Sequence, residues 1–259
     1  MTVPESGTPS QGQPTEERVP VFLRSKAKKP MVTYVILGIT TFIFIVQFLS
    51  QNFLPGGYDW PFLLGGKINQ FILRGEVWRL ITPVLLHASW MHLAFNMYAL
   101  YTIGTSLERL YGHKRFLALY LIAGYSGNAL SFLLSDASSL GASTAVFGLV
   151  IAEAVLIYRN KRMFGDRAQR MLLNLGMVIM INLVLGFSAG SGIDNWGHLG
   201  GLLGGFGFAW VAGPKYRIQQ LPEGSFEFKD TVTREKLWWG FLLSAGLFTA
   251  VVIGRFIVG

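Results

Sequence analysis

Ser143 stands where a short polar loop, residues 135–139, gives way to an apolar run that ends near Tyr158. A hydroxyl at such a helix start has two uses. It can cap the helix, accepting from backbone N–H groups that lack intrahelical partners, or it can act as a nucleophile, which needs a general base at the same depth on a neighbouring helix. The chain has 4 histidines and no cysteine, which excludes a thiolate nucleophile, a disulfide and a Cys-ligated metal. His198 lies in a run punctuated by Gly197, Gly200, Gly201, Gly204 and Gly205, and His92 and Asn96 stand four residues apart near the start of another apolar run. Residues so spaced share a helix face. A serine paired with a histidine base is the arrangement of serine hydrolysis, a chemistry that calls for no cofactor and no metal.

The elements that must position these groups are membrane helices. Hydrophobic residues make up 51% of the 259 and charged residues 14%, whereas soluble domains carry about a quarter charged residues. Apolar runs of roughly bilayer length fall at residues 32–50, 91–110, 115–134, 143–159, 170–188, 197–213 and 238–257, which predicts an all-α membrane protein. Residues 1–30, rich in Pro, Gly, Ser, Thr, Gln and Glu and ending in Arg24, Lys26, Lys28 and Lys29, read as a disordered tail. The following apolar run is long and has no small-residue cleavage site, so it is expected to be a retained span rather than a signal peptide. Residues 31–259 then form one polytopic membrane domain. Residues 51–90, broken by Gly56-Gly57, Trp60-Pro61 and Gly65-Gly66, read as an interfacial loop with short helices.

Charge sets the expected orientation. All of the 22 Lys and Arg except Lys67, Arg74, Arg79 and Arg255 fall on the side of the N-terminus, which the positive-inside rule makes cytoplasmic. Seven spans put the other end of the chain outside, in a topology that suits a bacterial plasma membrane. The net charge of +8 flanks apolar helices and forms no stripe with exposed aromatics, so no nucleic-acid partner is expected. Depth follows from counting residues. Ser143 to Arg159, His198 to Lys215 and His92 to Arg109 are each 16 or 17 residues, about 24–26 Å of helix. With a core of about 30 Å, three spans place a polar group in one layer just beneath the outer face. Polar groups at such depth face a protein interior or a water-filled cavity. Glycines every four residues, Gly197, Gly201 and Gly205, let the sixth span approach the small residues Ala145, Gly148 and Ala152 of the fourth, bringing His198 toward Ser143. Phe147, one turn below Ser143, is placed to pack on that ring.

These residues resemble the rhomboid family of intramembrane serine proteases. The likeness rests on Trp78-Arg79 in the first loop, His92-Leu93-Ala94-Phe95-Asn96 opening the second span, Gly141-Ala142-Ser143 with Phe147-Gly148 opening the fourth, and Gly197-His198 with Gly201 and Gly205 in the sixth. It covers about residues 75–213 and implies a six-helix core, to which the span at 238–257 adds a seventh helix found in larger variants. By the same resemblance, Ser143 is the nucleophile and His198 the general base of a dyad without a third acid. His92, Asn96 and the Ser143 backbone N–H would form the oxyanion hole, Gly141, Phe147 and Gly201 would support it, and the substrates would be transmembrane proteins cut in or beside the bilayer. The family's usual Gly-x-Ser-Gly has Thr144 in place of its second glycine here. That departure leaves an inactive membrane adaptor of the same fold as the alternative, with a channel or transporter third. Lateral substrate entry between the second and fifth spans is expected, with residues 188–196 as a lid.

Other groups are expected to be structural. The literal Gly124-Tyr125-Ser126-Gly127 puts Ser126 about 16 Å above Arg115, near the midplane, as a packing residue. His87 and His92 lack the His-Glu-x-x-His spacing of a zinc helix. Gly165-Asp166 lies in a cationic loop without a partner Asp, and Asp194 reads as a helix start. Trp78-Arg79 reads as a loop anchor, Glu108 and Arg109 as helix-end structure, and His113 as solvated.

Overall fold

A computed structural model describes residues 29–188, 192–222 and 226–258. The expected tail therefore falls, apart from Lys29 and Pro30, outside the described residues, as do residues 189–191 of the expected lid. Helices occupy all seven apolar stretches: α1 (Met31–Phe53), α4 (Trp90–Ala99) continuing through a π turn (Leu100–Gly104) into α5 (Thr105–Tyr111), α6 (His113–Leu134), α7 (Ser143–Arg159), α9 (Arg167–Gly186), α10 (Asn195–Ala212) and α11 (Arg234–Val258). The loop after α1 carries α2 (Trp60–Gly65), α3 (Asn69–Leu73) and two short 3₁₀ turns, and α8 (Lys161–Phe164) joins α7 to α9. Among the described residues, α1, α6, α9 and α11 are long and apolar enough to cross a bilayer by length and composition.

One element departs from an all-helical reading. Strands β1 (Tyr216–Gln220) and β2 (Phe226–Asp230) form an antiparallel hairpin between α10 and α11, pairing Tyr216 with Asp230. Its base is held by side chains that sequence reading counts only as loop charge. Asp230 accepts from Arg115 Nη1 at 2.6 Å, from the Lys215 N–H and from the Val232 N–H. The Tyr216 hydroxyl donates to the Leu110 carbonyl at 2.6 Å, and the Tyr216 N–H to Asn160 Oδ1 at 2.7 Å.

Helix α1 shows the inverted pattern of a lipid-facing helix. On α1 the inward stripe is Thr33, Ile36, Thr40, Phe44, Gln47 and Ser50 at helical spacing, while Val35, Ile39, Phe42 and Val46 are exposed. Lipid is as apolar as leucine, so burial of large apolar side chains is no longer the driving term, and small or hydrogen-bonding residues face the protein. Helices α6, α7 and α10 form the centre, α11 packs on α6 and α10, and α9 lies at the edge against α7. Only Ala168 and Gly186 of α9 are buried.

Glu108 shows how costly polar groups are settled. Its buried carboxylate accepts from the Val32 N–H at 2.9 Å, the Thr33 N–H at 2.7 Å and the Thr33 hydroxyl at 2.7 Å, and lies 2.5 Å from His113 Nδ1. It caps α1 from another helix. Glu108 is thus structural as expected, whereas His113 is not simply solvated, because the carboxylate holds its ring. Glu108→Ala leaves these donors without an acceptor and should cost about 2 kcal/mol or more. Denaturation of the protein in detergent micelles measures this, and an unchanged midpoint would show that the α1 terminus is satisfied without Glu108.

Candidate active site

The site begins with a contact between bare backbones. A Cβ on Gly201 of α10 would lie 2.0 Å from the Thr144 carbonyl oxygen, and one on Gly205 would lie 2.5 Å from Gly148 Cα. No side chain fits at either position, so the glycine spacing brings α7 and α10 to within backbone distance over one full turn. The first turns of both helices then face each other.

In that geometry Ser143 Oγ lies 2.9 Å from His198 Nε2. Ser143 is the first residue of α7, and no side chain caps that helix, so the hydroxyl is turned to the imidazole and not used as an N-cap. Phe147, one turn on, stacks on the His198 ring at 4.2 Å between centroids and 12° between planes. His198 is buried, and its Nδ1 has no hydrogen-bond partner among the described residues. Asp194 does not supply one. Its Oδ1 accepts from the Gly197 N–H at 2.9 Å and its Oδ2 from the Ser131 hydroxyl at 2.5 Å, which makes it the α10 N-cap, as the sequence suggests.

The third wall is α4. Gly141 has φ +133°, and a Cβ built there would lie 2.9 Å from His92 Nε2 and 3.6 Å from Ser143 Oγ. Only glycine both takes that backbone conformation and leaves room for the ring, so His92 and Ser143 flank one residue. The Ser89 hydroxyl caps α4 by accepting from the His92 N–H at 3.1 Å. Asn96 is buried one turn below His92, and its amide nitrogen donates to the His92 carbonyl at 2.9 Å. An Asn amide has a second N–H, which this bond leaves over.

Two participants escape sequence reading. His87 is buried, with its Nε2 accepting from the Ala142 N–H at 3.4 Å and its ring 5.0 Å from that of His92. The Pro83 carbonyl accepts from the Gly141 N–H at 2.9 Å. Both come from the loop between α1 and α4, and no local spacing announces them. That loop is itself clamped by Arg79, which is buried and donates to the Gly66 and Leu63 carbonyls and to Glu76. Arg79 is therefore an internal brace, while Trp78 stays half exposed and donates to the Leu64 carbonyl. An apolar cleft of 580 Å³ between α1 and this loop, lined by Phe42, Val46, Trp60 and Leu64 among others, includes none of the residues around Ser143.

Thr144 has a physical account. It is buried, and a Cβ on Gly127 of α6 would lie 2.6 Å from its own Cβ. The bare Gly127 backbone receives the threonine where a glycine would otherwise stand. Its hydroxyl has no partner among the described residues. Ser126, beside Gly127, is fully buried against Gly204, so the literal Gly-x-Ser-Gly on α6 is a packing surface, as expected.

The fold and this layer of polar groups define a helical integral membrane protein with a serine and a histidine in hydrogen-bond contact at one end of its bundle. Comparison with known proteins places it more narrowly. Residues 74–215, more than half of the chain, match the rhomboid domain, and the chain belongs to the rhomboid family. It is 42% identical over 178 residues to "Rhomboid protease GluP" of Bacillus subtilis (strain 168), covering 69% of this chain and 34% of that protein. "RHOMBOID-like protein 9, chloroplastic" of Arabidopsis thaliana is 35% identical over 172 residues, 66% of this chain and 39% of that one. "Rhomboid-like protease 1" of Toxoplasma gondii is 40% identical over 148 residues, 55% and 49% respectively. The chain thus spans between a third and a half of the length of these relatives.

Two substitutions test the packing. Gly201→Val drives a side chain into the Thr144 carbonyl and should destabilise the protein by about 1–3 kcal/mol, the range for overpacking. Thr144→Val keeps the shape, removes a buried hydroxyl without a partner, and should leave stability unchanged or raise it by about 1 kcal/mol. Thermal unfolding in detergent distinguishes them; equal losses would contradict the contact geometry.

Proposed function

We propose that this protein is an intramembrane serine endopeptidase that cleaves transmembrane proteins in or near their spans. The observation that carries this is the 2.9 Å contact between Ser143 Oγ and His198 Nε2. Ser143 Oγ attacks the scissile carbonyl carbon while His198 Nε2 takes its proton. The resulting oxyanion is met by the Ser143 N–H, His92 and the free N–H of Asn96. His198 then returns the proton to the leaving amine, and water, activated by the same ring, releases the acyl group. No acid serves His198 Nδ1. The Phe147 face stacked on the imidazole offers the charged form an electrostatic partner, and Gly141 and Gly201 keep the two walls close.

In this reading residues 31–259 form one membrane domain of seven crossings, a rhomboid core over about 75–213 and the extra helix at 238–257. The N-terminal side is cytoplasmic and the membrane is a bacterial plasma membrane. Substrates enter sideways from lipid between α4 and α9, with residues 188–196 as a lid. The sparse burial of α9 and the exposure of Phe95 and Tyr98 on α4 support that route. The alternative, an inactive membrane adaptor of the same fold, leans on Thr144, whose side chain packs against Gly127.

A fluorophosphonate probe on the detergent-solubilised protein tests the reading. Wild type should label, and Ser143→Ala and His198→Ala should each lower labelling and substrate cleavage by about a thousandfold or more. Undiminished cleavage by Ser143→Ala would end the proposal.

A further inference from the structure

Lys67 is fully buried, although lysine is rarely so without a partner. It lies in the loop between α1 and α4, and the mechanism does not use it. Its ammonium donates to the Ser135 carbonyl at 2.7 Å and the Ala137 carbonyl at 2.9 Å, and its backbone pairs with that of Ser139 in both directions, at 3.0 and 3.1 Å. Asn69, two residues on, donates to the Ser135 carbonyl at 3.0 Å and to Asp136 at 3.2 Å. Their partners Ser135, Asp136, Ala137 and Ser139 lie in the short segment that leads to Gly141, Ala142 and Ser143, and Asn69 also donates to the Phe132 carbonyl of α6 at 3.3 Å.

We infer that Lys67 is a positioning residue for the nucleophile: its buried ammonium grips residues 135–139 and so holds Ser143 in register with His198. The inference rests on the reading of Ser143 as nucleophile. Four residues of one loop reach the segment, Lys67 and Asn69 at its start, Pro83 at Gly141 and His87 at Ala142. Lys67 is the only one of the four that carries a charge at neutral pH. A charged donor bonds a carbonyl about twice as strongly as a neutral one, so the grip depends on the proton.

The charged groups around Lys67 are few. Asp136 stands in the gripped segment and also pairs with Arg255 of α11 at 3.5 Å, Asp194 caps α10, and Arg79 and Glu76 pair with each other within the same loop. Desolvation lowers the Lys67 pKa to about 8, and Asp194 and Asp136 pull it part of the way back. The two consequences have opposite sign. Between about 8 and the ordinary lysine value the folded chain binds fewer protons than the unfolded one, so this group makes the fold more stable as pH rises. Over the same interval the grip loses its charge, so reaction at Ser143 slows.

Fluorophosphonate labelling rates followed from pH 6 to 10, with unfolding followed in parallel, test this. Wild type should lose labelling rate above about pH 8 while remaining folded. Lys67→Arg, charged throughout, should label within a few-fold of wild type at pH 7 and lose that alkaline fall. Lys67→Met should label at least tenfold more slowly per folded molecule. Asn69→Ala, which removes a neutral tie to the same segment, should lower stability yet keep the alkaline fall near pH 8. A flat wild-type profile, or Lys67→Arg falling at the same pH as wild type, overturns the inference while Ser143→Ala stays unlabelled. A labelled Ser143→Ala, or an unlabelled wild type, overturns the nucleophile reading and this inference with it.

Discussion

The close approach of α7 and α10 is the constraint from which the rest of the site follows. In lipid, helices gain little by burying large apolar side chains against one another, and their association relies on van der Waals contact and interhelical hydrogen bonds. Gly201 and Gly205 meet the α7 backbone with no Cβ between, which is as near as two helices can come. At that separation a serine in the first turn of one helix and a histidine in the first turn of the other are a hydrogen bond apart. Bulk at the crossing forces the two helices apart, and with them the serine and the histidine.

The same contact determines which groups are free for chemistry. Asp194, four residues before His198, is engaged as a cap by the Gly197 N–H and Ser131, so it cannot orient the ring. Phe147 takes over part of that work by stacking, and orientation comes from a face where a soluble triad would use an edge. Around this pair the loop after α1 behaves as scaffold. Arg79 braces it internally, and Lys67, Pro83 and His87 hold the segment that feeds Ser143.

Much of this was legible in the sequence because membrane helices are long and their punctuation is strong. Counting residues from the basic residue at the far end of each helix put Ser143, His198 and His92 in one layer, and the glycine period named the two helices that touch. The hairpin was not found, since Tyr216–Gln220 and Phe226–Asp230 are five residues each and sit among charges that read as loop. Pro222 and Gly224 between two short alternating runs were the available signal. His87 and Lys67 were missed for a different reason: their partners are backbone carbonyls and N–H groups 55 to 72 positions away, and a backbone group leaves no trace in residue type. His113 was misjudged because Glu108, five residues earlier, also serves α1.

That last connection bears on how the chain is assembled. The Thr33 N–H and its Glu108 acceptor are separated by 75 residues. At about 5–20 residues per second, the α1 terminus waits some 4–15 s of synthesis before its cap exists, with its donors satisfied by water or lipid head groups meanwhile. The cap on α1 therefore forms only once α5 has been made through its last turn. A chain that stops short of Glu108 lacks this acceptor, and the Val32 and Thr33 donors then stay with solvent.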